Sequence, residues 1–186
     1  MSLTDLRSLY LVATLCLAAT ALAADNDDWA LTPEATWQLL QEQGDSILFI
    51  DVRDPVEIQF TGFVDAVDAV IPFRLVQRDQ WDEDQGHFAM PLNPDMVEQV
   101  SQALAEKGLD HSARIITMCR SGSARGKPSA EYLRQQGFAN SYYIDHGFQG
   151  DTADSGDQAG RRVINGWQNS GLPWSNQLDK GKLMPE

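Results

Sequence analysis

The sequence predicts an α/β fold, with a central parallel sheet covered by helices on both faces. Three observations carry the prediction. Short stretches rich in apolar, β-branched and aromatic residues recur at 47–50, 67–71, 114–118 and 141–145. The clearest of them, Ile47-Leu48-Phe49-Ile50, is unbroken, as suits a strand buried on both faces. Helical patterns lie between these stretches, and alternation of strand and helix is the signature of parallel crossovers. The chain has 186 residues, 42% hydrophobic and 22% charged. That is enough for one domain with a sizeable core, and too apolar for a disordered chain.

The elements follow in order. Thr32-Pro33-Glu34 opens a helix with a capping residue, a proline at the first helical position and an early acid. Trp37, Leu39 and Leu40 give that helix an apolar side, and Gly44 ends it. The strand at 47–50 comes next, then the turn Asp51-Val52-Arg53-Asp54-Pro55 and a short helix to Phe60. The strand at 67–71 stops at Pro72. Residues 73–92, with Trp81, Gly86, Pro91 and the acidic run Asp82-Glu83-Asp84, read as a surface excursion that either shapes a pocket mouth or covers the sheet. Asn93-Pro94-Asp95 caps a helix whose Met96, Val97, Val100 and Leu104 recur at helical spacing, and Gly108 ends it. A strand at 114–118, a helix at 127–136 and a strand at 141–145 complete the pattern. Residues 147–160 read as loop; Asp151, Asp154 and Asp157 do not match a calcium-loop pattern. Trp167 and Trp174 in the tail are expected to dock on the body.

The amino terminus reads as an address. Residues 9–19 are apolar, and Ala21-Leu22-Ala23 supplies the small residues of a secretory cleavage site. The expectation is a signal peptide over 1–24, cut after Ala23 or Ala24, and a single domain over 25–186 with a tail from about 150 to 186. The mature protein is then periplasmic or secreted. The competing reading, a membrane anchor, needs ~20 apolar residues. The run is shorter, and Asp25-Asn26-Asp27-Asp28 follows it, so no stable membrane insertion is expected after cleavage. Lipoprotein processing at Cys16 is disfavoured by the bulky Leu15 before it.

Lys and Arg total 14 against 27 Asp and Glu, a net charge of −13. Such a surface repels nucleic acid and anionic lipid. Two Cys and three His make a zinc site unexpected, and no metal or cofactor is called for. Cleavage removes Cys16 and leaves Cys119 alone. A lone thiol in an oxidising compartment is a liability unless its reactivity is used; the alternative is a buried, inert cysteine in a βα turn.

The chemistry concentrates in Cys119-Arg120-Ser121-Gly122-Ser123-Ala124-Arg125-Gly126. A strand delivers Cys119 to its carboxyl end, where ligands of parallel sheets sit, and Asp51 falls just past another strand end. The small residues let the backbone curl into a ring whose N–H groups cradle an anion. The next helix adds its positive end, and Arg120 and Arg125 add formal charge. Each favours thiolate over thiol, and the thiolate is the nucleophile.

These residues resemble the rhodanese-like family at several points in order. Ile50-Asp51-Val52-Arg53 resembles its first strand and acidic turn, Val70-Ile71-Pro72 its Asn-Ile-Pro segment, and Cys119-Arg120-Ser121-Gly122 its catalytic loop. Gly137-Phe138, Tyr143-Ile144-Asp145-His146-Gly147-Phe148, Gly166-Trp167 and Gly171-Leu172-Pro173-Trp174 resemble its closing segments. The likeness runs from about residue 32 to 174. It implies a three-layer sandwich and a sulfane sulfur carried as a persulfide on Cys119. Sulfur would pass from a donor such as thiosulfate to a thiol or cyanide. The amides of Arg120, Ser121, Gly122, Ser123, Ala124 and Arg125 would hold the persulfide, and Asp51 and Arg53 would brace or border the pocket.

Three departures stand out. Gly62-Phe63 replaces a Gly-His pair common in the family. His146 stands where a second glycine is common, and either faces the pocket as a proton carrier or lies on the surface at a strand end. The sixth loop residue counted from Cys119 is Ala124, and Arg125 is seventh. That Cys-x5-Arg spacing is shared with cysteine phosphatases, some of rhodanese fold, and arsenate reductases. The ring therefore closes either at Ala124 or at Arg125. Three readings follow: a sulfurtransferase, an oxyanion-handling phosphatase or arsenate reductase, and a sulfur-carrier or binding module with little turnover. The oligomeric state is left open.

Overall fold

The computed structural model describes residues 29–184, and the signal peptide expected over 1–24 lies outside them. The elements in chain order are β1 (Ala30–Leu31), α1 (Pro33–Gln43), β2 (Ile47–Asp51), α2 (Pro55–Thr61), β3 (Ala69–Val70), β4 (Gln77–Asp82) and β5 (His87–Ala89). After these come α3 (Met96–Glu106), β6 (Arg114–Met118), α4 (Gly126–Gln135), β7 (Ser141–Ile144), β8 (Asp151–Thr152), β9 (Arg162–Ile164) and α5 (Gly166–Asn169).

The helices begin where local chemistry lets them. Thr32 accepts a hydrogen bond from the Ala35 amide at 3.1 Å ahead of α1. Asp54 does the same for the Val56 amide at 2.9 Å ahead of α2. Each cap is followed by proline, whose fixed φ suits the first helical position. Asp95 holds the N-cap position of α3 without a side-chain cap hydrogen bond, and Asn93 Oδ1 accepts from the Asp95 amide at 3.0 Å. Asn93 is buried, and its amide donates to the Pro72 carbonyl at 2.8 Å and to Gln99 at 2.9 Å. It staples α3 to the segment after β3.

Five strands form one parallel sheet in the order β1-β7-β6-β2-β3. Alternate β2 residues feed opposite faces, as the two-residue period requires. Leu48 and Ile50 pack with Met96, Val100 and Leu104 of α3 and Leu133 of α4. Ile47 and Phe49 pack with Ile58 of α2, Trp37 and Leu40 of α1, and Trp167 of α5. The central register sets Asp51 beside Met118, so Val52 and Cys119 leave the sheet together.

The tail closes the second face. Trp167 is fully buried, its ring 5.9 Å from that of Trp37 and 5.7 Å from that of Phe49, and it donates to the Pro173 carbonyl at 2.9 Å. Phe63 and Ser175 exchange two backbone hydrogen bonds. Trp174, more exposed, packs edge-on against Phe148 at 5.9 Å.

Three segments differ from expectation. Residues 73–92 contain the antiparallel hairpin β4–β5, in which Trp81 pairs with Phe88 and Asp82 with His87. Part of 147–160 is strand, because β8 pairs with β9. β1, two residues at the sheet edge, lacks an apolar run. Strands this short owe their pairing to their neighbours rather than to pattern.

Candidate active site

Cys119 sits at the carboxyl end of β6 and is fully buried. Its loop runs over 119–125 to the start of α4. A methyl group on Gly126 would lie 3.4 Å from the Cys119 sulfur, so glycine there lets the helix start close against the sulfur. The Thr117 and Ser129 hydroxyls both donate to the Gly126 carbonyl, at 3.0 and 2.8 Å.

The loop is tied on its far side to the turn after β7. The Phe148 amide donates to the Cys119 carbonyl and the Gln149 amide to the Arg120 carbonyl, each at 2.8 Å. Arg120 Nε donates to Gln149 Oε1 at 2.8 Å. A methyl group on Gly147, whose φ is +56°, would fall 2.4 Å from the Cys119 carbonyl oxygen and 2.7 Å from the Gly122 nitrogen. That contact and that φ both demand glycine.

Asp51 and Arg53 brace the site from beneath and do not border its opening, since both are fully buried. Arg53 Nε donates to both Asp51 oxygens, at 2.9 and 3.1 Å. Its Nη1 donates to the Thr61 hydroxyl at 2.8 Å, and its Nη2 to the Gly62 carbonyl at 3.1 Å. The guanidinium also stacks 4.4 Å from the centre of the Phe148 ring. One side chain thus joins the end of β2, the end of α2 and the turn that holds the loop.

Arg125 binds Glu57 of α2 through two hydrogen bonds, at 2.5 and 2.7 Å. Burial opposes the charge on Arg125, but Glu57, Cys119 and Asp51 outweigh it and raise its pKa above the ordinary arginine value. Burial likewise opposes the charge on Glu57, and Arg125, Arg53 and Arg120 outweigh it, so this carboxyl titrates below the usual range. For Arg120, desolvation and the nearby Arg162, with smaller contributions from Arg125 and Arg53, overcome Glu57 and lower its pKa. Cations are crowded here.

Above the loop lies a cleft of about 670 Å3, lined by Arg120, Ala124 and Arg125 on one side and Arg74, Asp82, Gln85, His87 and Met90 on the other, with Glu57 between. The excursion at 73–92 therefore shapes the mouth. His87 Nδ1 lies 2.7 Å from the Phe88 carbonyl oxygen, which only accepts, so Nδ1 is the donor in this contact.

Of the expected loop residues, Gly122 is buried, Ser121 half-buried and Ser123 exposed. His146 lies at the strand end, 2.6 Å from an Asp151 oxygen and 3.4 Å from an Asp145 oxygen, and does not line the cleft. Glu57, Arg74, Asp82, His87 and Gln149 carry no local mark in the sequence. The one available clue was the need of a part-buried arginine for a carboxylate.

The Rhodanese-like domain model matches residues 32–154. No curated protein matches the sequence. Among solved structures, Rv0390 from M. tuberculosis is similar at 24% identity and a TM-score of 0.57, over 80% of this chain and 97% of that one. A rhodanese-related protein from Thermoplasma volcanium aligns at 16% identity and a TM-score of 0.43, over 80% and 98%. The polysulfide-sulfur transferase homodimer from Wolinella succinogenes aligns at 24% identity and 0.42, over 78% and 76%. With the family match spanning most of the chain and the sheet order, loop and tail as described, this chain belongs to the rhodanese-like domain family.

Proposed function

We propose that the chain is a sulfurtransferase that moves a sulfane sulfur through a persulfide on Cys119. The Cys119 thiolate attacks the outer sulfur of a donor such as thiosulfate. A sulfur–sulfur bond forms on Cys119, the donor's own bond breaks, and sulfite leaves with the electron pair. A thiolate or cyanide then attacks the outer sulfur, and the pair returns to Cys119. The amides of residues 120 to 125 hold the terminal sulfur, and Arg120 stabilises its charge. Small-molecule donor and acceptor are the partners, and export would place the reaction in the periplasm or outside the cell.

The observation that carries this reading is the charge of the cleft. A protein of net charge −13 brings Arg74 and Arg120 to the cleft beside the Cys119 loop, where Arg125 and Glu57 offset each other and Asp82 is the remaining acid. That local excess of cations suits an anionic donor. The Arg125–Glu57 pair supports sulfur over phosphate or arsenate, because a guanidinium already held in two hydrogen bonds is poorly placed to clamp an oxyanion.

The test is to incubate the protein with thiosulfate and record its intact mass, then add cyanide and measure thiocyanate. Gain of one sulfur atom, lost in Cys119→Ser, is expected. Hydrolysis of an aryl phosphate without sulfur uptake would transfer the assignment to the phosphatases. Neither activity would leave a carrier or binding module.

A further inference from the structure

Helix α2 presents two apolar side chains that the fold leaves largely uncovered. Val56 is 47% and Phe60 82% exposed, and four residues apart they share one helix face. That face borders a groove of about 360 Å3, whose opposite wall is Leu75, Val76 and Arg78 on the way into the β4–β5 hairpin. Glu57 lines both this groove and the cleft above the Cys119 loop. The groove, apolar at Val56, Phe60, Leu75 and Val76 and charged at Asp54 and Arg78, therefore adjoins at Glu57 the cleft that holds Arg74 and Arg120. The cleft alone exceeds what thiosulfate or cyanide would fill, and neither has an apolar part for the groove.

We infer that the sulfur acceptor is a peptide-sized thiol carrying a carboxylate and an apolar side chain. The inference rests on the sulfurtransferase reading and names the substrate of its second step. The carboxylate meets Arg74 and Arg120 in the cleft, and the apolar group lies against Val56, Phe60 and Leu75. The acceptor thiol gives its proton to solvent, and its thiolate attacks the outer sulfur of the Cys119 persulfide. A new sulfur–sulfur bond forms on the acceptor. The bond to Cys119 breaks, and its electron pair regenerates the thiolate. The product is a persulfide of the acceptor.

The experiment compares two dipeptide acceptors, cysteinylphenylalanine and cysteinylglycine, which share the thiol and the carboxylate and differ by one benzyl group. The protein is loaded from thiosulfate, and its discharge by each dipeptide is followed by intact mass. The expected ratio of second-order rate constants is about tenfold in favour of the phenylalanine peptide, as part burial of one ring implies. In Phe60→Ser the ratio falls towards one. A ratio near one in the parent protein, or an undiminished ratio in Phe60→Ser, overturns the inference and leaves the persulfide step standing. Failure of thiosulfate to load Cys119 removes both.

Discussion

Replacing Glu57 by Gln probes how the loop is held. Glu57 and Arg125 meet in two hydrogen bonds, with side chains only 22% and 11% exposed, so water screens them in part. Two charges about 4 Å apart at an effective dielectric of about 20 attract by roughly 4 kcal/mol. Desolvation of both ions cancels a large share, and Gln keeps one acceptor for Arg125. The net loss is about 2 kcal/mol, or about 4–8 °C in Tm for a domain of this size. Because Glu57 titrates below its ordinary value of 4.5, its contribution is fully present above that pH and is lost as pH falls through the folded-state value. Urea midpoints of parent and Glu57→Gln should differ at neutral pH and converge in acid. Coincident midpoints at neutral pH, or a gap that acid leaves unchanged, would refute the pairing as a stabilising tether.

Three further outcomes are expected. Gly147→Ala forces a β-carbon onto the Cys119 carbonyl and costs roughly 1–2 kcal/mol in backbone conformation alone; sulfur loading should slow sharply at temperatures where circular dichroism shows the variant folded, and an unchanged rate would dissolve the tether to the turn after β7. Arg53→Met strands the buried Asp51 charge and should cost roughly 3–5 kcal/mol in urea unfolding, much of it recovered when Asp51→Asn is added. No recovery would mean that lost packing, and not an uncompensated charge, is responsible. Loading from thiosulfate should slow as salt rises while loading from a neutral organic trisulfide does not, since screening acts on the anion's attraction to the cleft; equal salt responses would remove Arg74 and Arg120 from donor capture.

The parts of the fold with a strong local signal were readable in the sequence. The run Ile47-Leu48-Phe49-Ile50 is a strand buried on both faces, and Thr32-Pro33 and Asp54-Pro55 start their helices. Cys119 is placed at a strand end because small residues and a helix follow it. What escaped has no local signal. β1 and β8 are two residues each and exist through their partners. Glu57 reaches Arg125 from 68 positions away, and the hairpin that walls the cleft has no buried face whose alternation could mark it. Arg53 is expected to brace or border the pocket, and its complete burial keeps it from bordering one.

The spacing between Cys119 and Arg125 decides less than the destination of the guanidinium. Counted along the chain, Arg125 fits a wide ring that admits a tetrahedral oxyanion. In the fold it is the residue just before α4, and α2 supplies a carboxylate that takes up two of its donors. The pair is close to neutral as seen from the cleft, so Arg120 and Arg74 supply the positive charge an anion meets there. Arg125 then acts chiefly as a strut between α2 and the loop. An apolar residue in place of Glu57 would release that guanidinium towards the cleft and tilt the same loop towards oxyanion chemistry. On the proposed sulfurtransferase reading, an acid in a different helix is what keeps this Cys-x5-Arg loop from offering its guanidinium to an oxyanion.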